Sequence, residues 1–208
     1  MLLDLHSHRQ APYPEGIINI MDCNLPRQEG QLYSVGLHPW DTADGDVPEE
    51  VFEGLERLVV LPEVAAIGEC GVDTLKGGPM FRQLLVFKRQ VELSERVGKP
   101  LIVHAVKAMD MILGLKRDLN PAQPWIIHGF RGKPAMAAQL LEKGLYLSFG
   151  EHFNPETVRM VPEDRIFAET DESPLPIAEI IASLSEARGA DLTPVIAANL
   201  QRLIQQKA

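Results

Sequence analysis

At 208 residues, with 45% apolar and 24% charged side chains, the chain is long enough for one sizeable core and too short for two ordinary domains joined by a linker. A formal charge of -9 excludes general electrostatic attraction to a polyphosphate, and no run approaches the roughly 20 apolar residues of a membrane span. Two cysteines, Cys23 and Cys70, suggest neither a disulfide framework nor a metal clip, and each reads as a small buried hydrophobe.

Eight short apolar runs recur along the chain: LLDLHSH (2–8), GIINIMD (16–22), LYSVGLH (32–38), VAAIGEC (64–70), PLIVHAV (100–106), PWIIHGF (124–130), GLYLSFG (144–150) and RIFAETD (165–171). Most are continuously hydrophobic, which suits parallel strands buried on both faces. Helical patterns lie between the later ones. Residues 79–97 open at Pro79 and stop at Gly98 and Pro100, and residues 134–143 open at Pro134 and end before Gly144, a left-handed cap. Thr193 followed by Pro194 reads as an N-cap and first helical residue of a last helix carrying Val195, Ile196, Leu200, Leu203 and Ile204.

Parallel neighbours need crossovers, so the alternation predicts an α/β fold, a compact (β/α)8 barrel of the TIM type forming one domain over residues 1–208. Only 23 residues, 9–31, separate the first strand from the third. A crossover with its helix takes at least about 10 residues. The first two crossover helices are therefore expected to be reduced, with the C-terminal helix covering the gap.

The ionisable residues of these runs cluster at their ends. His6 and His8 close the first, Glu69 the fourth, His104 the fifth, His128 the sixth and Asp171 the eighth. In a barrel the C-terminal strand ends form the face where active sites are built. His6 and His8, two apart, point the same way from one strand. Several imidazoles and two carboxylates gathered without a counter-charge would oppose folding, and a metal centre removes that conflict. One or two divalent ions are expected. Zinc suits the nitrogen-rich set first, with manganese, iron or magnesium as alternatives.

The pieces DLHSH, VGLHP, AIGECGVD, FRQLLVFKRQVELSERVGKPLIVHA, IIHGFRGKPAMAAQLLEKGLYLSFG and IFAETDESPL resemble, in this order, the TatD-like metal-dependent hydrolases of the amidohydrolase superfamily. The resemblance implies a barrel with a one- or two-metal site and hydrolytic, often nucleolytic, activity. Carried over by motif, His6, His8 and Asp171 would hold the more buried ion, Glu69 would bridge, and His104 with His128 would hold the second. Asp171 and Glu69 would be the catalytic carboxylates, with Asp171 taking a proton from water. His38, in the HP turn, would reach substrate.

Departures bear on substrate. The family's arginine after the fifth-strand histidine is replaced by Val106 in HAVKAMD, leaving Lys107 as a point charge, and the basic segment after the eighth strand is missing. Arg131 and Lys133 in GFRGK are the best remaining anion contacts, and His152 reads as an exposed loop residue. The expected substrates are nucleic-acid ends or small phosphoesters cleaved at a phosphodiester. The alternatives are a small phosphoester or amide substrate, or a non-catalytic metal-binding accessory protein. With no secretory signal and no span, the expected location is the cytoplasm, without a membrane partner.

Overall fold

Runs without polar alternation are buried on both faces, and a closed parallel barrel follows from them. The computed structural model describes residues 1–20 and 28–205. Its strands are β1 (Asp4–Ser7), β2 (Gly16–Ile20), β3 (Leu32–Val35), β4 (Val64–Asp73), β5 (Leu101–Val106), β6 (Trp125–Ile127), β7 (Tyr146–Phe149) and β8 (Ile166–Ala168). Each pairs in parallel with its neighbour in chain order, and β8 closes on β1 through Asp4 and Ala168. All eight sequence runs contribute a strand.

The helices are α1 (Glu49–Val59), α2 (Met80–Val97), α3 (Met109–Leu119), α4 (Pro134–Glu142), α5 (Pro155–Met160), α6 (Ile177–Arg188) and α7 (Thr193–Gln205). Glycine ends α2 at Gly98 and stands just past α4 at Gly144, both at positive φ, as the sequence predicts. The main core joins strands to helices. Phe87 of α2 meets Trp125 of β6 edge-on at 5.2 Å, with Ile112, Leu140 and Leu147 buried in the same cluster.

The first crossover is stripped down, as expected. Residues 8–15 carry no helix, and the loop is tied to the start of β3 instead. Tyr13 N donates to Gln31 Oε1 at 2.7 Å, and Gln31 Nε2 donates to Gly16 O at 2.9 Å. In the second crossover, residues 21–27 lie outside the described residues, and Cys23 with them. Cys70 is fully buried, as a small hydrophobe.

Three expectations need correction. The last helix does not cover the crossover gap. Its Leu200, Leu203 and Ile204 share an apolar cluster with side chains of all eight strands, among them Leu5, Ile17, Ala66, Ile102, Ile126 and Phe167. Asn199 Nδ2 donates to Ile166 O at 2.8 Å, at the start of β8, which sets these side chains of α7 at that end of the barrel. The neighbours of Leu203 and Ile204, Leu32, Val64 and Pro100, place α7 under the N-terminal ends. Its N-terminal cap is shifted as well. Thr193 is already helical, and Asp191 accepts its amide at 2.9 Å. Finally, Glu69 does not end β4, which continues to Asp73.

Candidate metal centre

Each ionisable side chain reaches the barrel mouth for a local reason. His6 lies on β1 and His8 just past it, two residues apart on one face. In β4 the register with β5 shifts between Ile67 and Cys70, so Glu69 turns into the mouth while the chain goes on pairing as far as Asp73 with Val106. Glycines permit this. Gly71 sits at φ +143, and a Cβ there would stand 2.1 Å from the carbonyl oxygen of His104. Asp171, at φ +52, is held by backbone bonds to β1. Its N–H donates to His6 O at 2.9 Å, and its carbonyl accepts from His8 N at 3.1 Å. A left-handed aspartate is tolerated but costs about 1 kcal/mol.

All six predicted metal residues converge. His6 Nε2 stands 3.4 Å from Glu69 Oε2 and 3.7 Å from Asp171 Oδ1, and His8 Nε2 stands 3.6 and 3.5 Å from the same two atoms. These contacts are too long for good hydrogen bonds. Ligands about 2.1 Å from a tetrahedral ion lie roughly 3.4 Å apart, which is the spacing found. Both ring nitrogens of His6 are buried with no hydrogen-bond partner among the described residues. A donor set of two imidazoles and two carboxylates, with an orphaned nitrogen facing the gap, fits a divalent cation such as zinc.

The other oxygen of Glu69 faces three more imidazoles. Oε1 lies 2.5 Å from His104 Nδ1, 2.8 Å from His128 Nε2 and 3.2 Å from His38 Nε2, with His104 Nδ1 and His128 Nε2 3.3 Å apart. Burial opposes ionisation of Glu69, but the charge of His128 and hydrogen bonds from His104, His128 and His38 hold it far below the usual carboxylate range. Burial pulls His128 down, yet Glu69 and Glu169 outweigh it and raise its pKa well above the imidazole range. Burial raises Asp171, against the favourable charge of His6.

His38, expected at substrate, is buried. Its Nδ1 accepts from Trp40 N at 3.2 Å, which leaves the proton on Nε2 to donate to Glu69. Its own N–H donates to Asp41 Oδ2, closing the cap of a short 3-10 turn over Pro39–Thr42. Three carboxylates that the sequence reading passed over stand behind the site, two beside imidazoles and one on the backbone of β1. Asp73 Oδ2 lies 3.3 Å from His104 Nε2 and accepts Trp40 Nε1 at 2.8 Å. Glu169 Oε1 lies 3.3 Å from His128 Nδ1, and Asp4 Oδ1 accepts the backbone of His6. Two signals were present. Asp4 keeps the period of two with His6 and His8, and Glu169 keeps it with Asp171.

The predicted anion contacts differ in placement. Arg131 is exposed between two adjoining depressions of about 270 and 420 Å³, with Asp171 lining both. His152, exposed, lines the first, and Val106 lines the second. Lys107 and Lys133 are exposed on the loops beyond β5 and β6 and line neither.

Comparison with known proteins agrees with this geometry. A family model described as TatD-related DNase matches residues 22–205, so His6 and His8 precede the matched stretch. A Bacillus subtilis (strain 168) protein named as the uncharacterized metal-dependent hydrolase YabD is 30% identical over 197 residues, 83% of this chain and 76% of its own. An Erwinia billingiae protein named as the 3'-5' ssDNA/RNA exonuclease TatD is 29% identical over 157 residues, 70% of this chain and 59% of its own. The crystal structure of YJJV, a TatD homologue from Escherichia coli K12, shares the fold. Its TM-score is 0.80 over 98% of this chain and 97% of that one, at 19% identity.

Proposed function

The chain belongs to the TatD-related DNase family of metal-dependent hydrolases, and from that premise we propose that it cleaves phosphodiester bonds at the ends of short single-stranded nucleic acids. Residues 1–208 act as one catalytic domain. The observation that carries the reading is the four-atom shell of His6, His8, Glu69 and Asp171, its nitrogens 3.4 to 3.7 Å from its oxygens and the His6 nitrogen buried without a hydrogen-bond partner among the described residues. His104 and His128, with the other oxygen of Glu69, are the ligands for a second ion.

A divalent cation bound there lowers the pKa of water and polarises a phosphoryl oxygen. The protein supplies the rest. Asp171 has 32% of its side chain exposed against 7% for Glu69, so it is the carboxylate that substrate water can reach. Asp171 takes the proton from the attacking water and returns it to the oxygen that leaves phosphorus. Glu69 stays ionised and fixes the imidazoles around it. Arg131, between the depressions, offers two N–H groups to a phosphate, and Lys107 adds charge from the neighbouring loop.

The name of the Erwinia billingiae relative supports single strands as substrate. Val106, apolar and lining the larger depression, favours a second reading, a small phosphoester with less backbone to hold. A single set of assays separates them. Metal-reconstituted protein is expected to turn over both bis(p-nitrophenyl) phosphate and a single-stranded oligonucleotide, and a chelator is expected to abolish both. Turnover of the small ester alone would favour the second reading. Turnover that survives the chelator, or none on either substrate, would refute the proposal.

A further inference from the structure

The barrel mouth has a polarised rim, and one part of it is built to hold a flat ring. The loops beyond β4, β5 and β6 carry exposed Lys76, Lys107, Arg131 and Lys133, whereas those beyond β7 and β8 carry exposed Glu151 and Glu172. Those strands are neighbours in the barrel, so the cationic groups follow one continuous arc. Trp40 stands at one end of that arc, just beyond β3, with 40% of its surface exposed.

The indole is fixed rather than loosely displayed. Its Nε1 donates to Asp73 Oδ2 at 2.8 Å, its ring meets His38 edge-on at 4.6 Å, and it lies 6.1 Å from the ring of His104. The Lys76 ammonium hangs over it, 4.2 Å from the ring centroid. An exposed cation–π pair of this kind is weak, whereas an ammonium–phosphate contact is charge-assisted. A nucleotide offers both halves of an exchange. Its base takes the indole surface that the ammonium covers, and its phosphate takes the ammonium.

We propose that Trp40 and Lys76 form the seat for the nucleotide next to the scissile phosphate, Trp40 stacking its base without sequence preference and Lys76 holding its backbone. The rest of the strand then runs along the basic arc toward Arg131, and the acidic loops beyond β7 and β8 turn phosphates away. This rests on the phosphodiesterase reading and adds to it what the enzyme recognises. Stacking on one aromatic ring tolerates any base, because every base has a π-face.

The test uses metal-loaded protein and three substrates: a thymidine trinucleotide, a trimer of the same length without bases, and bis(p-nitrophenyl) phosphate. Wild-type protein is expected to prefer the thymidine trimer over the base-free one. Trp40→Ala is expected to reduce that preference roughly tenfold. Trp40→Phe, which keeps a ring and loses the N–H bonded to Asp73, is expected to retain most of it. Because the preference is a ratio within each variant, partial loss of fold cancels. Equal losses on both trimers, or Trp40→Phe as damaging as Trp40→Ala, would assign the indole to holding Asp73 and overturn the stacking role.

Fluorescence separates this from the parent reading. Trp125 is fully buried, so quenching by the thymidine trimer reports Trp40. Wild-type protein that cleaves none of the three substrates yet shows quenching would refute the phosphodiesterase reading and leave the seat standing. Absence of quenching at saturating trimer overturns the seat.

Discussion

Glu69→Gln is expected to lower turnover of bis(p-nitrophenyl) phosphate roughly a thousandfold while the barrel stays folded. The carboxylate faces both halves of the centre, one oxygen to each. Oε2 faces His6 and His8, and Oε1 faces His38, His104 and His128. An amide of the same shape removes the charge that compensates a divalent cation and turns an N–H₂ toward ring nitrogens. The fold survives because the amide keeps the volume and shape of the side chain, so no cavity opens in the barrel. Steady-state kinetics at saturating metal and thermal unfolding of the same sample check both halves. Near wild-type turnover would remove Glu69 from the site.

Asp4→Ala is expected to cost about 3 kcal/mol of stability, a fall in melting temperature of roughly 6–12 °C for a domain of this size. Asp4 is fully buried and joins the first strand to the last. Its Oδ1 accepts from His6 N at 3.2 Å and Thr170 N at 3.0 Å, and its Oδ2 accepts from Thr170 Oγ1 at 2.7 Å and Tyr13 O–H at 3.0 Å. Burial pushes its pKa up to about 6 against the pull of the Thr170 and Tyr13 hydrogen bonds. Removing the carboxyl takes the acceptor from all four donors, of which Thr170 Oγ1 alone keeps a second partner in Ser7 Oγ, and each buried orphan costs about 1 to 3 kcal/mol, offset in part by no longer burying the acid. Asp4→Asn keeps one acceptor oxygen and is expected to lose less. Urea or thermal unfolding of both variants measures the difference. An alanine variant as stable as wild type would show that Asp4 is not what ties β1 to β8.

What the sequence revealed of this architecture, and what it hid, follows from the range of the interactions. Strands buried on both faces read as apolar runs, and an ionisable residue at the end of such a run is conspicuous, so His6, His8, His104 and His128 stood out. Gly68 and Gly71 beside Glu69 carried the bulge, but a register shift depends on the partner strand, and the continuation of β4 to Asp73 was invisible for that reason. Asp73 drew no attention because its partners, Trp40 and His104, are 33 and 31 residues away. The place of α7 was hidden likewise. Its apolar stripe states that it packs, and only the closed barrel decides that it packs underneath. His38 was legible as the cap of a turn, whereas its reach to Glu69 depends on where β3 and β4 set the two side chains.

The account stands on a cation held among six converging side chains, and elemental analysis of purified protein after zinc loading and exhaustive dialysis tests it most directly. One to two ions per chain are predicted for the wild type, with a clear loss in a folded His6→Ala/His8→Ala variant. A wild-type protein that retains no divalent ion, or a double variant that retains as many, would contradict it.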